Sequence, residues 1–193
     1  FIGFRVFMEV LEERPLDKAK KRVPGPPSTI QLKDALYMDD REIANIDWKE
    51  YVYWVQKNTP EQYPSVLPDT TVWNAVSDST TPMVNQYYQH AAYDNYPLVG
   101  ISHAQAVAYC QWRSDRVNEM GQLNPAFVKK FGKIRYRLPT VTEWEFAANG
   151  GLDLDLYPYG IVALQSSKQV PYANLRLLPD AEDLPNFLFP IRT

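Results

Sequence analysis

Few side chains in this sequence can do chemistry, and their spacing narrows what that chemistry is. One cysteine, Cys110, stands among 193 residues, which excludes an intrachain disulfide and a multi-cysteine zinc site. It falls within "AVAYCQWRS", where apolar residues recur at helical spacing. That predicts a buried, inert thiol rather than a nucleophile. The two histidines, His90 and His103, have no clustered ligand nearby, so metal binding through them is not expected. No glycine-rich phosphate loop, Gly-x-Ser-x-Gly elbow or His-Glu-x-x-His is present. Aromatic rings are abundant instead, and Tyr63, Trp73, Tyr87, Tyr88 and Tyr93 fall in one aperiodic stretch, 58–97. Such rings give large contact area at low entropic cost, which makes these five the candidate contacts for a protein partner. The alternative is that they pack the stretch onto its own domain.

The elements that must position these residues are short. "FIGFRVFMEVL" (1–11) reads as a strand, followed by a polar linker that ends in Pro-Gly-Pro-Pro. Within that linker, Lys18 to Arg22 form the one basic cluster, expected to be a solvated face. "TIQLKDALYMDD" (29–40) predicts a hairpin turning near Lys33–Asp34. Asn45 is placed to cap a helix from Ile46 to about Lys57, with Trp48, Tyr51, Val52 and Val55 on one apolar face. Residues 58–97 are expected to be loop with short strands at most. Ser102 and Gln105 form a capping box opening a second helix, whose buried side is Ala106, Val107, Cys110, Ser114 and Val117 and whose stop is Gly121. "KIRYRL" (133–138) is a strand leading into a short helix capped by Thr140 with Glu143 and ended by Gly150 and Gly151.

Composition agrees with a globular domain. The chain is 45% hydrophobic and 22% charged, with net charge −3, which argues against wholesale disorder and against a nucleic-acid footprint. No run reaches the length of a transmembrane helix. Sixteen prolines and few helix-friendly stretches predict an α+β fold with much ordered coil. A first residue of Phe1 rather than Met is expected of a processed or partial chain.

Three segments in order, "YPLVGISHAQAVAYCQWRSDRVNE" (96–119), "YRLPTVTEWEFAANGG" (136–151) and "YPYG" (157–160), carry a resemblance to the sulfatase-modifying-factor family, which includes the formylglycine-generating enzymes. "MDDREIANIDWKEYVYW" (38–54) is similar to an earlier family segment. The resemblance implies an irregular, C-type-lectin-like α+β fold. It divides the chain into 1–28, a strand and Pro-rich linker similar to the Gly-Phe-Arg strand with which members of the family end, and 29–193, an incomplete family domain. Within that domain, Trp144 and Phe146 are expected to bury beside Cys110 and Trp112 in one core. Trp144→Ala would then cost about 3–5 kcal/mol. Arg137 is expected to pair with a buried carboxylate.

Departures from the family pattern bear on function. The formylglycine-generating members oxidise a substrate cysteine with copper held by two late cysteines, and this chain has neither. The resemblance implies a calcium site from Asn174 and Leu175 of "YANL" with Asp183, since loop oxygen ligands suit that ion. The expectation is a non-catalytic member acting as a structural or binding subunit of a bacterial cell-envelope complex. Such relatives include lipoproteins of gliding-motility and secretion machinery at the periplasm or outer membrane surface. The alternative is a formylglycine-generating oxidase or iron-dependent oxygenase whose catalytic segment lies outside this chain.

Overall fold

The computed structural model describes residues 4–11, 28–33, 35–75 and 86–150. Four short strands form one antiparallel sheet: β1 (Phe7–Val10), β2 (Thr29–Lys33), β3 (Leu36–Asp39) and β4 (Ile134–Arg137), in the order β2-β3-β1-β4. β2 and β3 are the hairpin expected from the sequence. β1 pairs with β3 on one side (Met8 opposite Tyr37) and β4 on the other (Met8 opposite Tyr136). The segment before residue 28 thus supplies a central strand of the same sheet as the residues after it. The chain divides into two compact units, one holding the sheet and one starting at Pro139, of which Pro139–Gly150 are described. The fold is mixed α+β.

Helix α1 (Asn45–Asn58) buries Trp48, Tyr51, Val52 and Val55, the face its spacing predicted. Its capping differs from expectation. Ala44 is the N-cap residue, and the Asp47 carboxylate accepts the Ala44 N–H at 2.9 Å. Asn45 is already helical and almost fully buried, and its Nδ2 donates to the carbonyls of Tyr87 (3.2 Å) and Tyr93 (2.9 Å). A short amide at that point ties the loop to the helix start: it supplies a donor to the Tyr87 carbonyl and a second one to that of Tyr93, which also accepts the Tyr96 N–H.

Helix α2 (His103–Gln122) has the predicted capping box, with Gln105 N–H to Ser102 Oγ at 3.2 Å and Ser102 N–H to Gln105 Oε1 at 2.7 Å. Ala106, Cys110 and Ser114 are buried, Val117 is partly so, but Val107 is 47% exposed; Tyr109 takes its place against the core. The helix docks on the outer edge of β4 by side-chain hydrogen bonds. Ser114 Oγ accepts the Tyr136 N–H at 2.8 Å, and Asn118 accepts the Ile134 N–H and donates to its carbonyl at 3.0 and 2.8 Å. Ser114 and Asn118, one turn apart, occupy the bonding positions of a missing neighbouring strand and so close an open sheet edge.

Gly121 lies inside α2 rather than stopping it. A Cβ there would meet the Phe127 ring at 2.6 Å, so glycine lets α3 (Pro125–Phe131) fold back closely. The Asn124-Pro125 start of α3, a cap followed by proline at the first helical position, is the signal that announces this element.

In place of loop with short strands, the described part of 58–97 contains three 3₁₀ segments, Pro60–Val66, Thr70–Ala75 and Ala91–Tyr93, and one bridge from Pro97 to Ala44. Trp73 and Tyr87 are 3% and 1% exposed, their ring centroids 4.5 Å apart, and the Tyr87 hydroxyl donates to the Pro97 carbonyl. These two rings fold back on their own unit. Trp73→Ala is therefore expected to lower the thermal midpoint, by roughly 2–4 °C for each kcal/mol lost. A midpoint equal to the parent's in a melting scan would place the ring outside the core.

Helix α4 (Val141–Asn149) shows the predicted cap, with Glu143 N–H to Thr140 Oγ1 at 3.3 Å and a left-handed Gly150 after the last turn. Trp144 and Phe146 do not bury as expected: they are 58% and 50% exposed. The described residues of that unit are this helix, the two residues before it and Gly150. A ring so exposed does not give the loss of about 3–5 kcal/mol that truncating a core ring would. The linker with Lys18–Arg22 and the implied calcium ligands Asn174, Leu175 and Asp183 lie outside the described residues.

Candidate functional site

A cavity of about 670 Å³ opens between the segment leading into α1 and the outer half of α2. Asp39 and Arg113 line it, from β3 and from α2. Arg113 Nη1 and Nη2 donate to the two Asp39 oxygens at 2.6 and 3.0 Å, and its guanidinium lies 4.2 Å from the Tyr136 ring centroid. Burial pushes the Asp39 carboxyl up, and the Arg113 charge and hydrogen bonds pull it back. Burial acts the other way on Arg113, but the charge and hydrogen bonds of Asp39, together with Tyr136 and Tyr109, outweigh it and the guanidinium is held more firmly protonated. The bidentate geometry decides for an ionised pair.

Arg41 and Asp47 form a second fork on the same wall, at 2.7 and 2.9 Å. Arg116, farther along α2, pairs with Glu119 at 2.7 Å and stacks over Trp54 at 4.5 Å. Trp112 and Val117 add an apolar wall, with Met120 toward the end of α2 and Phe127 on α3. The Trp112 Nε1 and the Arg116 Nε are buried without a protein acceptor. The cavity is lined by two carboxylate–guanidinium forks, by further charged groups and by rings. Among the described residues that line it, no cysteine, histidine or lysine is present.

Cys110 sits one turn from Ser114 and is buried as expected. Burial pushes its thiol up to about 12, and Arg113 lowers it only in part. Alkylation by iodoacetamide at pH 8 should therefore be slow in the native state and fast in urea, because both thiolate fraction and access are suppressed. Equal rates by mass spectrometry would show an accessible thiol. His90 Nδ1 accepts the Ala92 N–H at 3.1 Å, and His103 is exposed at the first turn of α2. Among the described residues no three His, Cys, Asp or Glu side chains gather for a metal.

Of the aromatic candidates, Tyr63 and Tyr88 are partly buried against the core, and Tyr93 packs on Tyr87 at 5.3 Å. The structure does not bring all five rings to one surface, since Trp73 and Tyr87 are enclosed. Sequence reading missed the cavity, because its acid and base partners come from residues 39–50 and 112–127.

Arg137 pairs with a carboxylate, though a partly exposed rather than a buried one: Glu9 on β1 meets Arg137 Nη2 at 2.5 Å and also Arg135, both arginines being on β4. The Arg137 hydrogen bond, opposed by partial burial, holds the Glu9 carboxyl below its ordinary value. With the folded pKa depressed, the stabilisation is present above the unfolded pKa and is lost as pH falls through the folded one. Glu9→Gln should thus be less stable than the parent at pH 7, and the gap should close in more acidic buffer. A gap independent of pH in urea titrations would assign the effect to something other than charge.

The sequence from residue 5 to residue 191 matches the model of the sulfatase-modifying factor enzyme 1-like domain. The chain belongs to that family. Among curated proteins it is 26% identical over 147 residues to a formylglycine-generating enzyme of Mus musculus, covering 66% of this chain and 34% of that protein. It is 42% identical over 65 residues to an inactive C-alpha-formylglycine-generating enzyme 2 of Bos taurus, and 41% over 66 residues to a formylglycine-generating enzyme of Thermomonospora curvata. Each of these two matches covers 34% of this chain and 15% of the relative. The chain spans about a third or less of the length of these relatives. No solved structure matches. Relatives named as active and as inactive stand side by side, so family membership alone leaves the activity of this sulfatase-modifying-factor-like chain open. Among the described residues no helix is long and apolar enough to cross a membrane.

Proposed function

We propose that this chain is a non-catalytic formylglycine-generating-enzyme-like domain that acts as a structural or binding subunit. The observation that carries the reading is the state of Cys110: the one thiol in the sequence is buried in a helix and pushed up to about 12. A thiol so placed neither ligates copper nor attacks a substrate at neutral pH. The inactive relative supports the same reading. Placement in a bacterial envelope assembly, at the periplasm or outer membrane surface, and a C-type-lectin-like arrangement of the coil both rest on the family resemblance. The partly buried rings Tyr63 and Tyr88, with Tyr93, are the contact residues of this reading.

Incubating the chain with copper and a cysteine-containing peptide should leave the peptide cysteine unchanged by mass spectrometry, and formation of formylglycine would overturn the non-catalytic reading. The native chain should fractionate with the envelope and co-purify with a partner, less so after Tyr63→Ala with Tyr88→Ala. Recovery in the cytosolic fraction alone would refute the placement.

A further inference from the structure

Of the four methionines in the chain, Met8, Met38 and Met120 lie among the described residues, and their surroundings differ. Met8 and Met38 sit in the sheet at 0% and 8% exposure, whereas Met120, near the end of α2, is 69% exposed. An oxidant must reach a thioether sulfur to react with it, so exposure ranks the three directly. Met120 also differs in what lies one turn before it. Trp112, Arg116 and Met120 follow one another at four-residue spacing along α2, and all three line the cavity. A long helical side chain leans toward the N-terminus of its helix, which directs Met120 toward Arg116. Arg116 Nη2 donates to Glu119 at 2.7 Å, and the guanidinium stacks over the Trp54 ring at 4.5 Å. Its Nε–H is nevertheless buried without an acceptor among the described residues, as is the Trp112 indole N–H. A thioether sulfur is too weak an acceptor to fill that need.

We propose that Met120 is a site of oxidation by a hydroperoxide, and that the sulfoxide so formed accepts a hydrogen bond from the Arg116 Nε–H at the cavity rim. The sulfur lone pair attacks one peroxide oxygen, the S–O bond forms as the O–O bond breaks, and the other oxygen takes up the proton and leaves as water. The sulfur is oxidised and the peroxide reduced, so hydrogen peroxide alone balances the step. The product oxygen is a strong acceptor where the sulfur was a weak one, and its donor is charged, which makes the new bond one of the stronger kind. At Met8 or Met38 the same change would place a polar oxygen in the core of the sheet. At Met120 the exposure keeps the desolvation cost small, and a buried donor gains its partner. Oxidation therefore leaves the fold intact and alters the cavity: the apolar edge that Met120 shares with Val117 and Phe127 becomes polar, and Arg116 is held more tightly.

The test treats the full chain with hydrogen peroxide and maps its peptides by mass spectrometry. Met120 is expected to gain oxygen at least about tenfold faster than Met8 or Met38 in the native state, and the difference should vanish in urea, where every sulfur is accessible. The Arg116 Nε–H resonance of the ¹⁵N-labelled chain, assigned with Arg116→Lys, is expected to shift on oxidation and to exchange more slowly with water. Met120→Leu should abolish that response. Its side chain is exposed, so this variant should keep the parent's melting midpoint, which is checked in the same samples. Equal native rates at the three methionines, an Arg116 resonance that oxidation leaves unmoved, or one that moves equally in Met120→Leu would each overturn the proposal. Such a result leaves the non-catalytic reading standing, and formylglycine formation on a peptide would leave selective oxidation of Met120 standing.

Discussion

Trp48→Ala is expected to destabilise the chain by about 3–5 kcal/mol, the upper range for truncating a fully enclosed aromatic ring. Trp48 is wholly buried, stacks on Tyr109 with centroids 5.2 Å apart and meets Tyr51 edge-on at 5.2 Å. Its Nε1 donates to the Val66 carbonyl at 2.9 Å, tying the 3₁₀ segment after α1 to the helix. Truncation therefore opens a cavity where α1, α2 and the segment before β1 that carries Phe4 meet, and also strips a buried carbonyl of its donor. Trp48→Phe separates the two losses: it keeps most of the ring volume, so only the hydrogen bond and part of the packing go. Urea unfolding should place it between the parent and Trp48→Ala. A loss below about 1 kcal/mol for the alanine variant would mean that the ring does not hold the three elements together.

Breaking the Asp39–Arg113 pair from one side should have an effect of similar size. Asp39→Ala leaves a guanidinium buried against Tyr109 and Tyr136 without its counter-charge, and loss of one partner from such a pair costs about 3–5 kcal/mol. Both side chains are largely buried, 19% exposed for Arg113 and 5% for Asp39, so solvent screens the charge little. The paired replacement Asp39→Leu with Arg113→Met removes both charges, and its stability should lie much closer to the parent than either single variant. A double variant as unstable as the sum of the singles would show that the two residues contribute independently, and that the fork at 2.6 and 3.0 Å is not the source of the effect.

Exposure explains why other polar pairs rank lower. Arg116–Glu119 lies at the surface, where a contact of 2.7 Å yields little after screening and side-chain entropy. The Glu9–Arg137 pair lies between these cases, and its pH dependence is the clearer readout.

The sequence by itself determined what depends on near neighbours along the chain. Helix starts at Ser102 and Thr140 were legible because a hydroxyl and a carboxamide or carboxylate three residues later satisfy the free N–H groups within one turn. The buried face of α1 was legible because spacing of three and four residues places Trp48, Tyr51, Val52 and Val55 on one side of any α-helix. The buried thiol followed from the same periodicity, and the family followed from segments read in order.

What only the tertiary structure decided is which distant group meets which. Asp39 and Arg113 are 74 positions apart, and no local pattern marks them as partners. Asn45 read as a cap by its type, yet its amide bonds the carbonyls of Tyr87 and Tyr93, more than 40 residues away. Ser114 read as a buried small residue, while its hydroxyl completes the edge of β4 together with Asn118. Trp144 and Phe146 read as core because they are large and apolar, but an apolar ring buries only where another surface arrives to cover it, and they stand exposed. Periodicity fixes the face a side chain occupies on its own helix. Chain packing at long range fixes what that face touches, which is why the cavity walls of Glu42, Glu50 and Trp112 came into view only with the fold.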